Sequence, residues 1–342
     1  MANLKQASNE LFRRSPDECF PSLDALRQHC RDQHRESKDC WQLPHTVVPL
    51  STDSDLRITA GESGQFTLND WSFSQLCRLG GVAKDTVNRL SPETAGRVLR
   101  ETLPRGEKPL QLLTTGNQVR SIHGVAYSRL WNTELLTMLQ DYAVDFQPPQ
   151  TAFNDATGLY CGEQDLFCFL IDPAGWIDIG GEAFAPGFFV WNSEVGRRSL
   201  GISTFWFQKI CQNHIVWDAV DVVEYTRKHT GNIRDSLIDI RRIIEAQVKK
   251  RDDRTDGFVR VIRKAMESSV GSDAEEATKF LLKHGITRDL IRKSVQKLGE
   301  EGRPFTLWTL VDALTQLSGE VRFAGDRLEI DQKVAQLLAL AV

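Results

Sequence analysis

Apolar positions along the chain change their spacing twice, and each change marks a change of structure. Residues 1–44 are mostly polar, and within them Leu23, Leu26 and Cys30 recur at spacings of three and four. That spacing predicts one helix over SLDALRQHCRDQH, carried on a peripheral arm that could clasp a neighbouring subunit. From 45 to 66 the runs HTVVPL, DLRIT and GQFTL alternate with Gly, Ser and Asp and read as short strands and turns. A helical block follows. Asn69 or Asp70 caps a helix to about Leu79, Gly80 and Gly81 break it, AKDTVNRL resumes it, and Ser91 with Pro92 opens another through Leu103. PLQLLTT and VRSIHGVAYSRL flank the turn Thr115, Gly116, Asn117 and predict a hairpin, after which Asn132 caps TELLTMLQDYA before the Pro148, Pro149 break.

From 157 to 225 the chain is rich in aromatic and β-branched residues punctuated by Gly, which predicts the main β-sheet. After Thr230 the spacing returns to three and four. Ile233, Leu237, Ile240, Ile244 and Val248 form a stripe, and further amphipathic helices are expected around 258–269, 274–284, 287–298, 305–317 and 327–341. The predicted fold is α+β: a polar, helical arm over 1–44, a strand-rich antiparallel core with packed helices over 45–230, and an all-helical region over 231–342.

Composition narrows the function classes. The 342 residues are 41% apolar and 26% charged, as in a globular protein. No apolar run approaches the roughly 18 residues that span a bilayer, and the N-terminal MANLKQASNELFRRS lacks an apolar signal region, so membrane insertion and secretion are not expected. Seven scattered Cys without a CxxC pair suit a reduced cytoplasm. The net charge of −4 argues against a globally basic polyanion binder. Charge is uneven, however: Arg227 to Lys264 holds twelve Lys or Arg against six Asp or Glu. That stretch is either a solvated helix face paired at i and i+4 or a basic track repeated around an oligomer.

Each candidate site has two readings. SFSQLCRLGGVAKDTVNRL (72–90) has helix-turn-helix spacing, with Lys84, Asp85, Thr86, Asn88 and Arg89 outward on the second helix, yet such hairpins also serve core packing. His29, Cys30, His34, Cys40 and His45 form a loose Cys/His cluster without the regular spacing of a zinc site. Cys211, Asn213 and His214 suggest a nucleophile and base, but on a strand Cys211 and His214 point to opposite faces. Glu163, Asp165, Asp172, Asp178, Glu182, Glu194, Asp218 and Asp221 supply carboxylates for a metal-dependent nuclease, without a recognisable spacing. Neither a P-loop nor GxGxxG is present, so no nucleotide cofactor is expected. The most distinctive stretch is FFVWNSEVGRRSLGISTFWFQKICQNHIVW, which interleaves Trp191, Phe205, Trp206, Phe207 and Trp217 with Asn192, Arg197, Arg198, Lys209 and Asn213. Single-strand binders combine stacking aromatics with backbone-tracking cations, and a half-buried strand shows the same alternation.

GLYCGEQDLFCFLIDP, WNSEVG, CQNHIVW, RKHTG, LNDWSFSQLCRLGGVAKDTV and PFTLWTLVDALTQL resemble the phage and plasmid-like proteins of the domain-of-unknown-function family numbered nine hundred and thirty-two, over about residues 20–340. The resemblance implies a gene of a prophage, plasmid or integrative element, near recombination or DNA-maintenance genes, and it implies no activity and no role for WNSEVG or CQN. In outline that family is similar to phage single-strand annealing proteins, which form rings or filaments and use no ATP. Residues and resemblance together lead to the expectation of a cytoplasmic, oligomeric protein that binds and anneals single-stranded DNA in recombination, without cofactor, metal or catalytic residue. Arg197, Arg198, Lys209, Arg227 and Lys228 would neutralise phosphate, with His229 nearby and Trp191 or Trp206 for stacking. A metal-dependent nuclease, a sequence-specific regulator and a protein-binding counter-defence factor are the alternatives.

Overall fold

The computed structural model describes residues 18–52, 56–61, 64–149, 157–208, 215–216, 223–249, 251–320 and 336–341. Two sheets organise them. The first is built from β1 (Ser37–Gln42), β2 (Val47–Ser51), β3 (Leu56–Ala60), β4 (Gln65–Leu68), β5 (Leu110–Thr115) and β6 (Gln118–Gly124), in the order β1-β5-β6-β4-β3-β2. All its described pairs are antiparallel except β4 with β6. The predicted hairpin is β5–β6, closed by Gly116 and Asn117. Helices α2 (Asp70–Leu79) and α4 (Pro92–Thr102), with the single turn α3 (Lys84–Val87), cover one face around Ile58, Leu76, Leu99 and Leu112. Both long helices start where the sequence signals them: the Asn69 side chain accepts from Ser72 N at 2.8 Å, and Ser91 caps ahead of Pro92.

The second sheet holds β7 (Leu159–Cys161), β8 (Leu166–Ile171), β9 (Ile177–Ile179), β10 (Glu182–Asn192), β11 (Leu200–Gln208), β12 (Ile215–Val216) and β13 (Glu224–Arg227). Its described pairs are all antiparallel. β9 and β8 follow one another along one edge of β10, while β12 and β13 do so along β11. Pro186 fits the middle of the long strand β10 because it falls between the two ladders. Its carbonyl accepts from Asp172 N on the β8 side, so its missing N–H faces the gap between β9 and β8 while the residue still pairs with Trp206 of β11 on the other side.

Both faces of this sheet are buried, which is why its strands read as near-continuous apolar runs. On one face Phe188, Val190 and Ile202 pack with α1 (Leu23–Glu36), α5 (Asn132–Tyr142) and α6 (Ser236–Lys249). At the far end of that face Phe184 and Trp206 meet α7 (Arg251–Glu267), α8 (Ala274–Lys283), α9 (Arg288–Glu300) and α10 (Leu307–Glu320). The other face is an aromatic layer of Phe167, Phe169, Phe189, Trp191, Phe205 and Phe207. Gly201 is required there, since a Cβ would lie 2.2 Å from the Trp191 indole and 2.7 Å from Tyr225 O. Gly201→Ala is expected to cost about 1–3 kcal/mol by overpacking, read as a lowered thermal midpoint.

The fold class is as predicted, but two segment boundaries are not. Residues 1–44 do not form a peripheral arm over their described part: Leu26 and Cys30 of α1 are fully buried against α5 and β7, and β1 is an edge strand paired with β5. The boundary at 230 also does not divide the core, because Ile240 and Ile244 of α6 share the core under the second sheet. The last predicted helix lies mostly outside the described residues.

Candidate functional site at the joint between the sheets

The two sheets meet through WNSEVG, the last two residues of β10 and the loop after it, whose residues Trp191 to Val195 are all buried. Burying a run of polar groups requires a partner for each. Glu194 has two. Its carboxylate accepts from Arg120 Nη1 at 3.1 Å and from the backbone N–H of Asn132, the first residue of α5, at 2.8 Å. A carboxylate at a helix N-terminus is favoured by the unsatisfied amides there. Arg120 reaches it because it is the extra residue of a β-bulge: Ser121 faces Leu113 and Val119 faces Thr114, leaving Arg120 unpaired in the ladder and re-aimed.

The loop backbone is clamped from the first sheet's side. Arg129 donates from Nη1 to Glu194 O and holds Asp39 of β1 through Nη2 at 2.8 Å and Nε at 3.1 Å. Tyr127 donates its hydroxyl to Glu194 O at 2.9 Å, and Val195 O accepts from His123 Nε2 at 2.9 Å and Trp71 Nε1 at 2.7 Å. Gly196 turns the chain with φ +70°, and a Cβ there would lie 2.5 Å from the His123 ring.

His123, Tyr127 and His229 stack in series, with centroids 3.7 and 5.5 Å apart. Burial and then the Arg129 cation push His123 down to about 4. Burial, with Arg129 adding to it, likewise takes His229 to about 4. Both rings are therefore neutral. His123 carries its proton on Nε2 and His229 on Nδ1, because each of those nitrogens faces a carbonyl. A histidine with a depressed folded pKa is protonated first in the unfolded chain. Their contribution to stability is thus constant above about pH 6.5, falls as pH drops toward about 4, and levels off below that. The expected loss is roughly 3 kcal/mol per ring, measured as unfolding midpoint against pH.

The predicted site residues divide sharply in this geometry. Arg197, Arg198, Arg227, Lys228 and His229 converge on the joint end of the second sheet, since Leu200 of β11 pairs with Arg227 of β13. Arg197 and Lys228 are exposed, Arg227 is half-buried and His229 is buried within the stack. Arg198 is engaged by the buried carboxylate of Asp165. Trp191 and Trp206 are 3% and 1% exposed on opposite faces of the sheet, so neither ring offers a surface to a base. Stacking on them is corrected for that reason. Lys209 lies outside the described residues, as do Cys211, Asn213, His214, Trp217, Asp218 and Asp221.

Another aromatic lies beside these cations. Trp71, half-buried in the first turn of α2, lies under two exposed guanidinium groups, Arg197 at 5.2 Å and Arg78 at 5.8 Å from the ring centroid. Arg78 follows Trp71 by two helical turns, a same-face spacing visible in the sequence. The pairing with Arg197 spans the two sheets and left no local signal.

The other candidates disperse. The second helix of the helix-turn-helix reading is a single turn, too short to lie along a groove, and Lys84 is paired with Asp70. His34 stacks on Trp131 at 3.9 Å, away from Cys40 and His45, and among the described residues no group of three or more His, Cys, Asp or Glu could hold a metal. Asp172 and Asp178 accept turn amides, and Glu182 meets Arg303 at 3.5 Å. In the basic stretch Arg234, Arg241 and Arg242 are paired with Glu134, Glu245 and Asp239, which is the solvated-face reading.

No family model, curated protein or solved structure matches this chain. Among the described residues no helix is long and apolar enough to cross a membrane.

Proposed function

We propose that the chain binds single-stranded nucleic acid at the joint end of its second sheet, as the DNA-binding protein of a mobile element that anneals strands as an oligomer without ATP. The observation that carries the binding step is the half-buried Trp71 under the exposed Arg78 and Arg197. An indole flanked by guanidinium groups provides a stacking platform beside phosphate-neutralising charge. Lys228 and Arg227 extend the positive rim along the same sheet end, whereas Glu194 is buried against Arg120 and the exposed Asp39 is neutralised by its ion pair with Arg129.

Ultraviolet cross-linking of the full chain to a single-stranded oligonucleotide, followed by peptide mapping, tests the location. Cross-links are expected in the segment carrying Trp71 and Arg78 and in that carrying Arg197. Cross-links confined to α7–α10 would move the interface. With magnesium or manganese present the oligonucleotide should remain full length, and cleavage would replace this reading with a nuclease.

A further inference from the structure

Away from the joint's rim, two cysteines face each other in the core. Cys30 lies in the middle of α1 and Cys161 at the end of β7, with their sulfurs 3.8 Å apart as free thiols. They are distant in sequence and belong to two elements docked only by tertiary packing. Cys30 is fully buried and Cys161 is 6% exposed.

The surroundings of Cys161 are polar and aimed. Cys30 donates its S–H to the Cys161 sulfur. Asn132 Nδ2 lies 3.9 Å from the same sulfur, and its orientation is fixed because its Oδ1 accepts from Asn192 Nδ2 at 2.8 Å. On the solvent side the exposed His29, one residue before Cys30 on α1, is raised from its ordinary value chiefly by the nearby Cys161 sulfur. Donors aimed at a sulfur favour its thiolate, and as a thiol Cys161 also reaches Gly162 O at 3.9 Å.

We propose that Cys161 and Cys30 form a hydroperoxide-reactive dithiol that closes to an intramolecular disulfide joining α1 to β7. The Cys30 S–H and the nearby His29 imidazole lower the Cys161 thiol against the opposing effect of burial, while the Cys30 thiol is raised by the same contact and by burial. Cys161 is accordingly the attacking sulfur. Its thiolate forms an S–O bond with the peroxide as the O–O bond breaks, and the departing hydroxide takes a proton from the His29 imidazolium to leave as water. The Cys30 sulfur then attacks the sulfenic sulfur. The S–S bond forms, the S–O bond breaks, and the second hydroxide takes the Cys30 proton. Two thiols are oxidised to one disulfide and one peroxide is reduced to two waters. The sulfurs, 3.8 Å apart as thiols, must close to about 2 Å.

The test treats the folded full chain with stoichiometric hydrogen peroxide, blocks free thiols after unfolding, and maps the peptides without reduction. A peptide linking Cys30 to Cys161, reversed by dithiothreitol, is expected as the dominant product, with Cys77 still alkylated. Both cysteines recovered as free thiols, or another pair linked in preference, would overturn the proposal. In Cys30→Ser the oxidised Cys161 should accumulate as a sulfenic acid captured by dimedone, and absence of the adduct in the folded variant would also overturn it. Removal of the imidazole in His29→Ala should slow linking about tenfold, the change expected for one pKa unit in thiolate fraction. An unchanged rate would overturn the imidazole's part. The wild-type map decides the proposal if a variant fails to fold.

Discussion

Glu194→Ala should lose about 3–5 kcal/mol of stability, the largest effect of any single substitution in the joint. The carboxylate is 1% exposed at its side chain and Arg120 is 5% exposed, so neither can turn to water when its partner is removed. The substitution strands the Arg120 guanidinium and leaves the Asn132 N–H unpaired. The mechanism separates from simple cavity formation by a second variant. Arg120→Met with Glu194→Leu removes both charges together and should recover most of the loss, because an apolar pair of similar volume costs little where a broken ion pair costs much. Scanning calorimetry of the three proteins reads this directly, and equal midpoints for the single and double variants would show that the charge pair is not what holds the joint.

Arg78→Glu with Arg197→Glu should abolish detectable binding to a single strand near physiological salt while changing stability by no more than about 0.5 kcal/mol, since both side chains are solvent-exposed. Each lost phosphate contact on a single strand should reduce the slope of log affinity against log salt by about 0.7. Two contacts therefore remove about 1.4 from the slope, and the introduced carboxylates add repulsion. Arg198→Glu is unsuitable as a test, because it would place a carboxylate against the buried Asp165 and damage the fold. Trp71→Ala should weaken binding by about 1–3 kcal/mol through lost stacking. Trp71→Phe retains a ring but gives up the hydrogen bond to Val195 O, so it distinguishes stacking from loop support.

What the sequence makes legible is local. The β5–β6 hairpin, the caps at Asn69 and Ser91, the main sheet and the helices from Ser236 onward all follow from spacing and turn chemistry. What it hides is non-local. SKDCWQ has no clean apolar alternation, and β1 becomes a strand because β5 offers an unpaired edge. The stripe Leu23, Leu26, Cys30 predicts a helix without saying that it docks on β7 and α5. The aromatics of β10 and β11 are an ambiguous signal because a strand buried on both faces carries large apolar residues toward each, which is the arrangement that places Trp191 and Trp206 out of reach. The one clue to the joint was the polar Asn192, Ser193 and Glu194 following a run of bulky apolar residues, and their partners Arg120 and Asn132 are far away in sequence.

The pH dependence and the ion pair test the joint as a structure, and the arginine variant tests it as an interface. The most direct measurement of the central claim is fluorescence anisotropy of a labelled single-stranded oligonucleotide titrated with the full chain across a salt series, with duplex of equal length beside it. Tighter binding to the single strand, a steep fall with salt, and a slope reduced by about 1.4 in Arg78→Glu with Arg197→Glu are expected. Absence of binding at low salt, equal affinity for duplex, or an unchanged slope in the double variant would contradict the account.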